Sequence, residues 1–139
     1  IVKKVYCCDI NEQYLELAAS NCEGTENVSC HMVTSDQYPL NFLPDNSINK
    51  AYAHSVMVHN STKIIIAYLR EINRVLKPGG IFYTTYCTKN FNNAERSGTI
   101  ESNKDDIDAT IESLNYDIVY NVPYTNKNVS GVALMIKKL

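Results

Sequence analysis

The sequence predicts an α/β domain, a doubly wound and mostly parallel sheet with helices between its strands and an antiparallel C-terminal strand. Three observations carry the prediction. Strand-length apolar runs alternate with segments of helical spacing along most of the chain. A helical segment beginning near Ser61 stops at Lys77-Pro78-Gly79-Gly80 and passes directly into the apolar run 81–86, the αβ half of a βαβ unit. Residues 117–122 and 131–138 are then two strand-like runs in succession, which suits an antiparallel edge.

Taken in order, residues 4–8 form the first strand and end at Asp9. Asn11 is placed to cap a helix in which Ile10, Tyr14, Leu17 and Ala18 line one side. Residues 21–27 are a loop by composition, and residues 28–33 are the second strand, leading to Ser35 and Asp36. Pro39, Pro44 and Asp45-Asn46-Ser47 mark an irregular connection, and residues 48–56 read as the third strand. Asn60 or Ser61 caps the next helix, whose buried face is Ile65, Tyr68, Leu69, Ile72, Val75 and Leu76. Pro78 cannot continue that helix, and Gly79 or Gly80 can take the left-handed turn that ends it. Residues 88–102 are polar and without periodicity, a loop of a length that is often functional. A helix at residues 104–114 follows, with Ile107, Ile111 and Leu114 on one face.

At 139 residues the chain is one domain's worth, able to bury roughly 68–70% of its unfolded surface. No linker or internal repeat divides it. A net charge of −2 leaves no basic footprint for nucleic acid, and the apolar runs are strand-sized, too short to span a bilayer. Five cysteines without a CxxC pair suit free thiols in a reducing compartment, so a cytoplasmic location is expected.

Few residues carry chemistry. Asp9 stands at the carboxyl end of a strand, where open α/β sheets bind nucleotides, and a carboxylate there can accept both ribose hydroxyls. It can equally be a simple N-cap for the following helix. His54 and His59 are the acid/base candidates, since histidine titrates near neutrality, although His59 can also merely pack at the helix start. Grouping them with Cys30 and His31 gives no metal-ligand spacing, so no metal is expected.

The run Arg74-Val75-Leu76-Lys77-Pro78-Gly79-Gly80, with Asp9, Asp36 and Asp45-Asn46-Ser47 in register upstream, resembles the class I S-adenosylmethionine-dependent methyltransferases, of the methyltransferase type 11-like kind. The similarity extends from Val5 to Lys138 and implies a Rossmann-like fold with S-adenosylmethionine as cofactor. It implies that Asp9 and Ile10 meet the ribose, and that Asp36 and Gln37, after Ser35 in place of the family's glycine, meet the adenine. His54, Ser55 and Val56 would line the methionine end. Where the family often has Asp-x-Ser-Phe-Asp, this chain has Asn49 as the last residue, and Lys50 is unusual for a central strand. The family's first strand and glycine-rich loop belong about 20 residues upstream of Asp9, but only eight residues precede it. The sequence therefore reads as a domain lacking that N-terminal unit.

The function expected is methyl transfer to a small-molecule acceptor, with His59 as base if the acceptor is a hydroxyl. Residues 88–102 would help to cover that acceptor. No nucleic-acid or membrane partner is expected. The alternative is a non-catalytic module used for partner binding or self-association through strand edges left open by the missing unit. A nicotinamide dinucleotide would suit a strand-end Asp equally, but no tyrosine has lysine four residues on, as short-chain dehydrogenases require.

Overall fold

The computed structural model describes residues 2–33, 39–90, 98–126 and 128–139. They form two compact units, Ile1–Pro39 and Leu40–Leu139. The first holds strand β1 (Val5–Asp9), helix α1 (Glu12–Asn21) and strand β2 (Val28–Met32). β1 and β2 pair in parallel, with Asp9 opposite Met32 at their shared carboxyl end. Asn11 caps α1, its side-chain oxygen accepting from the amides of Gln13 and Tyr14. Among the described residues the buried apolar side chains of this unit are Leu15 and Val33. The expected apolar stripe of α1 is therefore not its packed side. Ile10, Tyr14 and Leu17 are 59–68% exposed, because Leu15 is the side chain of α1 that turns inward.

The second unit is a four-stranded sheet in the order β3-β4-β6-β5, made of β3 (Ile48–Ala53), β4 (Leu76–Asn90), β5 (Tyr116–Thr125) and β6 (Val129–Lys138). β3 and β4 are parallel, joined by helix α2 (Thr62–Val75), while β6 is antiparallel to both β4 and β5. Helix α3 (Lys104–Ser113) precedes β5 and is capped by Asn103. Phe82 and Tyr86 of β4, with Leu134 and Ile136 of β6, pack the core. Ile65, Leu69 and Val75 of α2 and Ile107 and Ile111 of α3 complete it. Tyr116 ties this layer together through its hydroxyl, which donates to the Leu69 carbonyl at 3.1 Å.

The connection ahead of β3 is held from α2. Arg74 donates from Nη2 to the Leu40 carbonyl and from Nη1 to the Leu43 carbonyl and Asp45. Glu71, only 4% exposed, receives Nε and Nη2 of the same guanidinium. The Lys138 ammonium donates to the carbonyls of Asn73 and Leu76, which α2 leaves open at its end. α2 stops at Val75, and Gly79 takes the left-handed conformation, φ +79°, before β4 settles into register with β3.

Two strand ends near the site, and the surroundings of Lys50, depart from the sequence expectation. β3 ends at Ala53 rather than Val56, because Ser55 turns left-handed (φ 56°) and Met57–His59 wind into a short 3₁₀ turn. β4 runs to Asn90, so the start of the expected loop is strand, paired there with β6. Lys50 is exposed on β3, which pairs on one side only among the described residues. No described helix is long and apolar enough to cross a membrane.

Candidate active site

In the first unit the candidate residues sit at the end of β1. Asp9 is half-buried, and its Oδ1 accepts the Asn11 amide at 2.8 Å. Asn11, not Asp9, caps α1, so the plain capping role read as an alternative for Asp9 is already filled. An ionised carboxylate offers about four acceptor positions. The single bond from Asn11 thus orients Asp9 and leaves it able to take further donors. Beside it, Ile10 is 68% exposed. Ser35, Asp36 and Gln37 lie outside the described residues.

In the second unit His54, Ser55, Val56 and His59 are gathered on the turn that follows β3. Two threonines of β4 hold this turn, both buried. Thr84 donates from its hydroxyl to the Ala53 carbonyl, and the Thr85 hydroxyl accepts the Ser55 amide at 2.9 Å. Ser55 is one of few non-glycine residues with positive φ, a conformation that such tertiary bonds must sustain. Met57, 3% exposed, anchors the 3₁₀ turn, while Val56 is half exposed and its carbonyl accepts the Asn60 side-chain amide.

The two histidines are placed differently. His54 lies in a near-parallel group of rings with Tyr52 and Tyr83, whose centroids are 5.3 to 6.2 Å apart. His59 is exposed and its Nδ1 is 2.9 Å from the Gly98 carbonyl oxygen. Residues 98–102 lie along this turn, with the Ile100 amide donating to the Val58 carbonyl and the Ser102 amide to the Cys87 carbonyl. Thr84, Thr85 and Gly98 were not among the residues singled out from sequence. Adjacent threonines in a strand otherwise built for burial are the one local signal that pointed to the first two. Gly98 has no such signal, since its contact joins positions 39 apart. Among the described residues, no three His, Cys, Asp or Glu side chains converge to hold a metal ion.

Each unit by itself has polar groups at the carboxyl end of a parallel strand, the end at which open α/β sheets bind nucleotide-type ligands. A family model described as a methyltransferase domain matches residues 2–80, more than half of the chain. The chain belongs to this methyltransferase family. No curated protein matches the methyltransferase domain closely enough to count as a relative. Solved structures match it in fold. The [4+2]-cyclase SpnF superposes with a TM-score of 0.75 at 15% identity, over 97% of this chain and 66% of that one. An S-adenosylmethionine-dependent methyltransferase from Methanosarcina mazei gives 0.74 at 15% identity, over 98% and 82%. Magnesium protoporphyrin IX methyltransferase from Synechocystis, solved with bound S-adenosylhomocysteine, gives 0.71 at 13% identity, over 97% and 64%. The methyltransferase domain thus spans just under two thirds of the cyclase and of the Synechocystis protein. At these identities the likeness is one of Rossmann-like fold, and the cyclase among them carries a different named activity on it.

Proposed function

We propose that this methyltransferase domain uses S-adenosylmethionine to methylate a small-molecule acceptor. The observation that carries the reading is Asp9, at the end of a parallel strand within the family match, oriented by one backbone bond and still able to accept others. A ribose diol needs such a group, so the residue present fits the cofactor. Exposed Ile10 gives an apolar surface beside it. Asp36 and Gln37 are assigned to the adenine, and His54, Ser55 and Val56 to the methionine end, on the strength of the family resemblance.

The cofactor supplies a methyl group on a sulfonium, transferred in line to the acceptor while the electron pair of the broken bond stays on sulfur. The protein's part is to hold donor and acceptor aligned, an effect that can supply roughly 7–11 kcal/mol without a catalytic triad. A hydroxyl or amine acceptor also has a proton to lose, and His59, exposed on the turn after β3, is the residue assigned to take it.

Calorimetry with S-adenosylhomocysteine on the full natural polypeptide tests the reading. Micromolar binding is expected, weakened about ten- to a hundredfold in Asp9→Asn, since bonds to a charged group contribute roughly 1.5–3 kcal/mol. Absence of binding sinks it. A second reading, a non-catalytic module that self-associates, is favoured by the edges of β1 and β3, each paired on one side only among the described residues. It predicts a concentration-dependent dimer in sedimentation velocity together with no heat from the nucleoside.

A further inference from the structure

We propose that Gly98 is a positioning residue whose carbonyl holds the His59 proton on Nδ1, leaving Nε2 as the basic nitrogen offered to the acceptor. The inference rests on the assignment of His59 as base made above. A carbonyl oxygen has no proton to give. Its 2.9 Å contact with Nδ1 therefore requires the N–H on that nitrogen. Neutral histidine free in water prefers the opposite tautomer, with its proton on Nε2. Left to itself, His59 would present a donor at its exposed tip and keep its lone pair next to the backbone.

The contact is built into the fold. Two bonds join the same two short segments, Ile100 amide to Val58 carbonyl and His59 Nδ1 to Gly98 carbonyl. Ser102 is anchored on the Cys87 carbonyl, the Thr99 carbonyl accepts the Asn90 side chain, and Glu101 accepts the Asn90 amide. The segment is thereby tied along its length to the end of β4 and to the 3₁₀ turn. Gly98 itself has φ +63°, a conformation that β-branched residues rarely adopt. The ring stays exposed, so Nε2 remains open to a ligand.

The proton account closes on this geometry. The proton lost by an acceptor hydroxyl or amine becomes Nε2–H, and the imidazolium keeps its Nδ1–H on the Gly98 carbonyl, a bond strengthened by the new charge.

Two-bond ¹H–¹⁵N correlation spectra of the labelled full polypeptide, at a pH where histidine is neutral, read the tautomer directly. His59 signals are assigned by their loss in His59→Asn. A pyrrole-type Nδ1 and a pyridine-type Nε2 are expected. The reverse pattern, or the mixture seen in free histidine, overturns the proposal. Gly98→Val, incompatible with the left-handed backbone, is expected to move His59 toward Nε2–H. Gly98→Asn, which tolerates it, keeps the wild-type pattern. An unchanged tautomer in the valine variant overturns the role of Gly98. His59→Asn retains a side-chain donor for the carbonyl but no base, and turnover is expected to fall by about 10²–10⁴ with nucleoside binding kept. Unchanged turnover with the Nδ1–H tautomer present overturns the base assignment alone, and lost nucleoside binding in the wild type overturns the methyl-transfer reading.

Discussion

Tyr86 and Tyr116 are both buried, and only one of them has its hydroxyl satisfied. Tyr116 donates to the Leu69 carbonyl, whereas the Tyr86 hydroxyl has no partner among the described residues. Replacing each by phenylalanine separates the value of a made bond from the cost of an unmade one. Tyr116→Phe is expected to lose about 1 kcal/mol, and Tyr86→Phe to be neutral or stabilising, in urea denaturation. A Tyr86→Phe loss as large as that of Tyr116→Phe would show that the hydroxyl is satisfied after all. Both phenols are pushed above the ordinary value of 10.0, chiefly by burial, which disfavours the phenolate. The folded state then holds protons that the unfolded chain releases, so stability is full below about pH 10 and falls as pH rises toward the folded values. With two such groups the slope approaches about 2.7 kcal/mol per pH unit. Urea midpoints from pH 8 to 11.5, followed with phenolate absorbance, check the direction and size.

At the scale of elements, the motif that marks the family acts through Arg74. Its guanidinium joins buried Glu71 to the carbonyls of Leu40 and Leu43 and to Asp45, fastening the connection that leads into β3. Arg74→Met leaves the Glu71 carboxylate buried without its cation, and such a loss costs about 3 kcal/mol or more. The thermal midpoint should fall accordingly, and the double variant Arg74→Met/Glu71→Leu should recover part of it. A single variant as stable as wild type would remove Arg74 from this role. Most elements were readable locally. Asn11 announces its helix because a side-chain oxygen can serve only the amides just ahead of it, and Pro78-Gly79 announces the end of α2. The packed side of α1 is not legible from its period, because Leu15 turns inward while Tyr14 and Leu17 are exposed, a choice made by packing. The length of β4 was hidden because its polar end, Thr88 to Asn90, is strand only by pairing with β6. Within the candidate site, Asp9 and the two histidines could be found by residue type and strand-end position. Gly98 could not, as it matters for a bond made to a residue 39 positions away, and Thr85, whose partner is 30 positions away, is signalled only by the threonine beside it in a buried strand.

For the molecule as a whole, the two units differ in how much apolar surface they bury. The core of the larger unit includes six buried aliphatic side chains on α2 and α3 alone, whereas the described residues of the smaller unit bury Leu15 and Val33. Chains of fewer than about 40 residues rarely stand on such a core alone. Amide hydrogen exchange should therefore run on the order of a hundredfold or more faster in β1 and β2 than in β4 and β6. Equal protection across both would show that the smaller unit draws stability from something beyond its own core. If Asp9 binds a nucleoside, ligand should slow exchange in β1 in particular, since binding stabilises the state that binds.

The turn at Lys77-Pro78-Gly79-Gly80 also decides parity. Two residues separate Ile48 from Lys50 on β3, but five separate their partners Leu76 and Ile81 on β4. The difference is three, an odd number, and successive strand residues point to opposite faces. That odd count sends Phe82, Thr84 and Tyr86 one way and Tyr83 and Thr85 the other. Removing a single glycine would reverse the assignment along β4. Tyr83 would turn toward the helices, Phe82 toward the opposite face, and the Thr85 hydroxyl would leave the Ser55 amide. The turn at the end of α2 thus sets the phase of the strand on which the turn after β3 hangs.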